Sequence, residues 1–184
     1  MKKDKPVPNL IAKIMYHNHS PKRLKKEMNL INSGIIEKGT KILDIGCGPG
    51  HISIEMARIT GKNGKVYALD IHPLAIESVN KLISSNGINN VETILTNNLE
   101  TELPDRYLDI IFIINAYDMI KNKLRLHSEI TRLLKPEGKL IICNRLNILT
   151  SSNKIKKIFD NDLSMICEYQ EKNTFYFKKV MIKD

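Results

Sequence analysis

The stretch Lys41-Ile42-Leu43-Asp44-Ile45-Gly46-Cys47-Gly48-Pro49-Gly50-His51 sets three alternate glycines between a short apolar run and the start of a helical pattern. That order reads as strand, tight turn and helix N-terminus. Glycine is needed where the backbone takes a positive φ or must approach a ligand closely, and the free N–H groups of a first helical turn hydrogen-bond what lies there. The dinucleotide fingerprint G-x-G-x-x-G would need glycine at 51, which is His51. A phosphate-binding P-loop is excluded because no Gly-Lys-Ser/Thr follows. What remains is D-x-G-x-G-x-G, from Asp44 to Gly50.

Ser20-Pro21 opens a helix in which Leu24, Met28 and Ile31 recur at helical spacing until Gly34. Before it, Asn9 to His19 carries Ile11, Ile14, Met15 and Tyr16-His17-Asn18-His19; its two histidines, one residue apart, do not form a metal pair on a helix. After the loop, Ile52, Met56 and Ile59 form a helical stripe that ends at Gly61. Asn63-Gly64 then turns into the strand Lys65 to Asp70. Asp70 lies twenty residues beyond Gly50. A carboxylate there can accept both vicinal hydroxyls of a ribose, or cap the next helix. That helix starts at Pro73, turns Ala75, Val79, Leu82 and Ile83 inward and closes at Gly87.

A third strand runs from Val91 to Thr96 and a fourth from Ile110 to Ile114, an unbroken apolar run suited to a strand covered on both faces. The fourth delivers Asn115-Ala116-Tyr117-Asp118 at its carboxyl end, where ligands bind in open α/β sheets. Leu126, Ile130 and Leu133 mark the next helix. Leu134-Lys135-Pro136-Glu137-Gly138 connects it to a fifth strand that reaches Asn144 and Arg145. Thr150 to Ser152 can cap a short basic helix, Lys154 to Phe159, and 163–169 and 174–182 read as two strands. Strand and helix alternate, so a mostly parallel sheet follows.

A chain of 184 residues has the size of one α/β domain, and its 42% apolar and 27% charged composition is that of a soluble globular protein. The longest apolar run is too short to span a bilayer, and the charged amino terminus does not resemble a signal peptide. A cytoplasmic location is expected. Cys47, Cys143 and Cys167 form no C-x-x-C pair, so neither zinc nor a disulfide framework is suggested. The net charge of +9 is uneven: residues 1–36 hold eight Lys/Arg against Asp4 and Glu27. Such an arm can steer an anionic partner (RNA, a phosphorylated metabolite or a membrane surface) or serve as a solvated helix face. Tyr16 is the one aromatic there, so no stacking platform for single-stranded nucleic acid is evident.

The Asp44–Gly50 loop resembles motif I of the class I S-adenosylmethionine-dependent methyltransferases. Leu103-Pro104 with Tyr107-Leu108-Asp109 resembles the family's approach to strand four, and Leu134-Lys135-Pro136-Glu137-Gly138 its Leu-Lys-Pro-Gly-Gly connection to strand five. The resemblance covers residues 20–182. It implies one doubly wound, mostly parallel seven-stranded α/β domain over 1–184 with strand order 3-2-1-4-5-7-6, a helical lid over 1–36 and a cofactor-binding core over 37–184. In relatives the final strands form a hairpin with one antiparallel strand.

The implied cofactor is S-adenosylmethionine. Asp44, Gly46, Cys47, Gly48 and Gly50 would hold its methionine end, Asp70 the ribose, and Ile71, Asn97 and Asn98 the adenine, with Asn115 also on the cofactor side. Asn97 stands where relatives carry an acid for the adenine amino group, and its amide oxygen can accept the same bond. No Asn/Asp-Pro-Pro-Tyr/Phe follows strand four, so amino methylation of nucleobases has no positive sign. Catalytic candidates are Tyr16, His19, Tyr117 and Asp118, each of which also reads as surface or loop-capping. A sulfonium is already a good leaving group, so alignment and exclusion of water are the main requirements. The expected acceptor is a small molecule, with the chain a monomer or homodimer and neither metal, DNA nor membrane involved. Alternatives are an RNA or protein methyltransferase using the basic helix, or a cofactor-binding protein without transfer activity.

Overall fold

The computed structural model describes residues 4–17, 21–144, 159, 164–171 and 173–180. His19, Ser20, Arg145, the expected cap at 150–152 and most of the short helix at 154–159 lie outside the described residues. The chain divides into two compact units, Met1–Asn98 and Leu99–Asp184. Among the described residues seven strands are ordered β3-β2-β1-β4-β5-β7-β6, the order that the resemblance implies.

In the first unit, α1 (Asn9–His17) and α2 (Pro21–Ile31) precede β1 (Lys41–Ile45), α3 (His51–Thr60), β2 (Lys65–Asp70), α4 (Pro73–Asn86) and β3 (Val91–Leu95). β1 pairs with β2 and β2 with β3, both parallel, with Asp44 opposite Ala68 and Asp70 opposite Leu95. Parallel neighbours in this register bring their carboxyl ends to one edge. Ile42, Leu43, Val66 and Ala68 are fully buried, as strands covered on both faces require. On α3 the inward residues are Ile52, Ile54, Met56 and Ala57; Ile59, expected in the stripe, is only half-buried, because the helix turns a neighbouring arc to the sheet. Likewise α4 buries Ala75 and Val79, while Leu82 and Ile83 stay half-buried.

In the second unit, β4 (Leu108–Ile114) is followed by a 3₁₀ turn (Tyr117–Met119), α5 (Lys123–Leu133), β5 (Leu134–Cys143), β6 (Met165–Glu171) and β7 (Thr174–Lys179). β4 and β5 are parallel; β7 is antiparallel to both β5 and β6, the expected hairpin. The Leu134–Gly138 stretch, expected as a connection, belongs to β5. Leu134 already pairs with Leu108, and the register then jumps so that Ile110 faces Lys139. Pro136 has no N–H to give a ladder, and Glu137 takes φ 65°, so the extra residues bulge out of the pair. For the same reason β4 begins at Leu108, two residues before the expected start. Asn144 falls just past the end of β5. Phe159, from the expected short helix, is buried, with its ring 4.8 Å from His127 and 4.6 Å from Phe177.

Candidate functional site

β1 enters the glycine loop with Asp44 buried at 2% exposure. Gly46, Gly48 and Gly50 all take left-handed backbone, with φ of 76°, 53° and 89°. The Gly46 and Cys47 N–H groups donate to Leu69 O at 2.8 and 3.1 Å, which ties the loop to the end of β2. Gly50 is the most constrained of the three. A Cβ there would lie 2.6 Å from Val79 Cγ2 and 3.2 Å from Val79 Cα, so hydrogen alone lets α3 start this close to α4. Ser78 Oγ donates to Pro49 O at 3.0 Å and fixes the loop from the same helix.

Asp70, at the end of β2, is 7% exposed. Its Oδ2 accepts from the Gly48 N–H at 2.9 Å and its Oδ1 from the His72 N–H at 2.8 Å. The carboxylate thus links the glycine loop to the next turn. Burial raises its pKa, and hydrogen bonds from the His72, Gly48 and Ile71 N–H groups oppose that shift. The cap of α4 is His72, not Asp70: Nδ1 of His72 accepts from the Leu74 N–H at 3.1 Å, and Nε2 lies 3.0 Å from Val7 O. These partners assign a neutral ring that carries its proton on Nε2. The sequence drew no attention to His72, although its place before Pro73 is a capping position.

Asp44 is pushed up to about 7 by burial, with the carboxylates of Asp70 and Glu27 adding to the shift and a 2.6 Å hydrogen bond from Ser53 Oγ opposing it. Glu27, buried at 2% exposure on α2, breaks the picture of that helix as an apolar stripe under a basic face. The Cys47 thiol is likewise raised by burial and then by Asp44 and Asp70, so it is not a nucleophile. Buried carboxylates thus converge on the loop that leads into the N-terminus of α3. This potential repels a pyrophosphate and attracts a ligand with cationic centres, while the α3 N-terminus suits one carboxylate. A zwitterionic amino acid that also bears a sulfonium has that charge pattern, so the residues present fit S-adenosylmethionine.

Asn97 and Asn98 follow β3 beside Asp70, whose carbonyl accepts from the Thr96 N–H at 3.2 Å. The Asn97 side chain is exposed, and Asn98 Oδ1 accepts from Thr96 Oγ1 at 2.6 Å. Ile71 is half-buried between Asp70 and His72. Above the loop, Tyr16 of α1 lies edge-on to His72 with ring centroids 6.1 Å apart, and its Cε1 would be 3.8 Å from a Cβ on Gly48. Asp4 N–H donates to Asn97 O at 3.2 Å. The segment from Asp4 to Tyr16 therefore runs across the carboxyl edge of β1–β3. Burial, then Asp70 and Cys47, push the Tyr16 pKa up, so it stays a neutral hydrogen-bond donor.

In the second unit, Asn115 follows β4 with φ 56° and donates its N–H to Cys143 O at 2.7 Å. Tyr117 is buried and pushed up to about 12, first by burial and then by Asp118; its hydroxyl has no hydrogen-bond partner among the described residues. Lys123 Nζ lies 4.1 Å from the Tyr117 ring centroid, a cation–π contact. Asp118 Oδ2 accepts from Asn144 Nδ2 at 3.1 Å. Among the described residues no group of three His, Cys, Asp or Glu could hold a metal ion.

A family model described as "Methyltransferase domain" matches residues 36–181. The chain is 25% identical over 163 residues to the ubiquinone/menaquinone biosynthesis C-methyltransferase UbiE of Francisella philomiragia, covering 88% of this chain and 61% of that one. It is 27% identical over 122 residues to the demethylmenaquinone methyltransferase of Geobacillus stearothermophilus, covering 66% and 52%. The chain thus spans between about half and three fifths of the length of these relatives. A SAM-dependent methyltransferase from Aquifex aeolicus has the same fold, with a TM-score of 0.83 and 20% identity over 95% of this chain and all of that one. Together with the glycine loop, the acid at the end of β2 and the strand order, the match over most of its length shows that the chain belongs to the methyltransferase-domain family, with the class I fold.

Proposed function

We propose that the chain transfers a methyl group from S-adenosylmethionine to a small-molecule acceptor of the quinone-precursor kind that its relatives' names describe. The observation that carries the reading is the glycine loop bounded by the buried carboxylates of Glu27, Asp44 and Asp70, a setting for a cationic ligand. When bound, S-adenosylmethionine supplies a methyl group on a positively charged sulfur, a leaving group that needs no further activation. Asp44, with Gly46, Cys47, Gly48 and Gly50, would hold the amino-acid end; Asp70 would accept from the ribose hydroxyls. Ile71 would pack on adenine, and Asn97 and Asn98 would meet its edge. Tyr16 covers the loop and excludes water. Tyr16 stays protonated, so it would orient a polar acceptor as a donor rather than act as a base, and burial likewise keeps Tyr117 of the second unit protonated.

Calorimetric titration with S-adenosylmethionine, S-adenosylhomocysteine and NADH tests the first half of the reading. Binding of the adenosyl ligands without NADH is expected. Transfer of labelled methyl from the cofactor to short-tailed hydroquinones, with small RNA as the competing substrate class, tests the second half. Cofactor binding with no transfer to either would leave a binding protein, and label in RNA would replace the acceptor proposed.

A further inference from the structure

We propose that the outer face of α1 docks on the surface of an anionic lipid bilayer. Ala12, fully buried, and Tyr16, half-buried, are four residues apart and form the inward side of the helix, which packs against α4. Leu10 and Ile14 are also four apart, and Ile11 is three from Ile14; the helical wheel places all three on the opposite side. Leu10, Ile11 and Ile14 are 70%, 47% and 52% exposed. Water thus meets three large aliphatic side chains side by side on a helix of nine residues. Scattered surface leucines need no explanation, but a row on one helical arc marks a contact surface.

Charge identifies the partner. Lys13 is exposed on α1, and Lys5, Lys25 and Lys26 are exposed in the same unit. Residues 1–36 hold eight basic residues against two acidic ones. An exposed apolar arc on a unit with an excess of exposed lysines suits a helix lying in the headgroup layer of an acidic membrane. No helix among the described residues is long and apolar enough to cross a membrane, so attachment would be confined to the surface. RNA fits less well, because the exposed arc is aliphatic and Tyr16 faces inward over Gly48. A second copy fits less well too. Three aliphatic side chains fall well short of the ~800 Å² per partner that a stable dimer buries, and two chains of net charge +9 repel.

The helix is held in place for this role. His72 Nε2 donates to Val7 O and Asp4 N–H donates to Asn97 O, so the segment before α1 is tied down at two points. The docking face is preformed, and its lipid contact does not depend on methyl transfer.

The test is co-sedimentation of the full chain with vesicles of phosphatidylcholine alone and of phosphatidylcholine mixed with phosphatidylglycerol. Binding to the mixed vesicles only, released by added salt, is expected. The double variant Leu10→Ser, Ile14→Ser should lower the vesicle partition coefficient at least tenfold, and Lys13→Glu should lower it further. In the double variant S-adenosylmethionine affinity and the thermal midpoint should not move, since Leu10 and Ile14 face water. No binding of the unaltered chain to the mixed vesicles overturns the proposal, as does equal binding by the double variant. A dimer seen by light scattering without lipid and lost in that variant also overturns it, in favour of a second copy. Small RNA that competes for the chain and is released by the apolar substitutions would do so in favour of RNA.

Discussion

The Gly48 N–H donates to Asp70 Oδ2 at 2.9 Å, across twenty-two residues of sequence. One carboxylate thereby sets the middle of the glycine loop and, through Oδ1 and the His72 N–H, the start of α4. The same group that would accept ribose hydroxyls also shapes the loop that would hold the amino-acid end.

Asp70→Ala removes an acceptor from both backbone donors and from the ribose. S-adenosylmethionine affinity should fall by about 2 kcal/mol, roughly thirtyfold, by calorimetry. Asp70→Asn keeps one acceptor oxygen and should lose less. An unchanged affinity in the alanine variant would take Asp70 out of the site.

Gly50→Ala places a methyl group 2.6 Å from Val79 Cγ2 on left-handed backbone. We expect a stability loss of about 1–3 kcal/mol in denaturant unfolding. Pairing it with Val79→Ala should recover part of that loss. Full recovery would mean that only the side chains clash, and none would place the cost in the backbone of Gly50.

Asp44 sets a pH dependence whose sign follows from its burial. Its carboxyl titrates at about 7 in the folded protein and at 3.8 ordinarily. Between those values the folded chain holds a proton that the unfolded chain has lost, so this contribution to stability falls as pH rises from about 4 to about 7 and is constant above. Denaturant unfolding at a series of pH values should show that decline, and Asp44→Asn should flatten it. Ser53→Ala removes a donor to the ionised form, so the decline should extend to higher pH.

Asn97 presents an exposed amide beside the end of β3. Asn97→Asp should hold or raise S-adenosylmethionine affinity, because a carboxylate accepts from an amino group more strongly than an amide does. A large loss by calorimetry would give the position another role.

His72→Ala deletes the cap of α4 and the tie to Val7 together. Stability should drop by about 1 kcal/mol, and limited proteolysis should cut within residues 4–17 faster than in the unaltered protein. Equal cleavage rates would mean that Asp4, Ala12 and Tyr16 hold the segment without it.

The alternation of strand and helix, the loop at 46–50 and the acid at the end of β2 are local patterns, so they were legible in the chain. Backbone conformation and burial period are set by near neighbours, and glycine and proline punctuate them directly. That β4 begins at Leu108 rather than Ile110, and that the chain bulges at Pro136–Gly138, could not be read locally because strand pairing depends on a partner far along the sequence. The same distance hid the site's electrostatics. Glu27 looked like one polar residue on a basic helix, and only its burial near Asp44, seventeen residues on, makes it part of a negative cradle. His72 looked like a residue between a strand and a proline, until Val7 and Leu74 gave each ring nitrogen a partner. The sequence by itself determined the order of elements and the loop that a ligand meets. Tertiary structure decided which charges converge there and which face of α1 is left to its surroundings, because both depend on desolvation and contacts that no local pattern records.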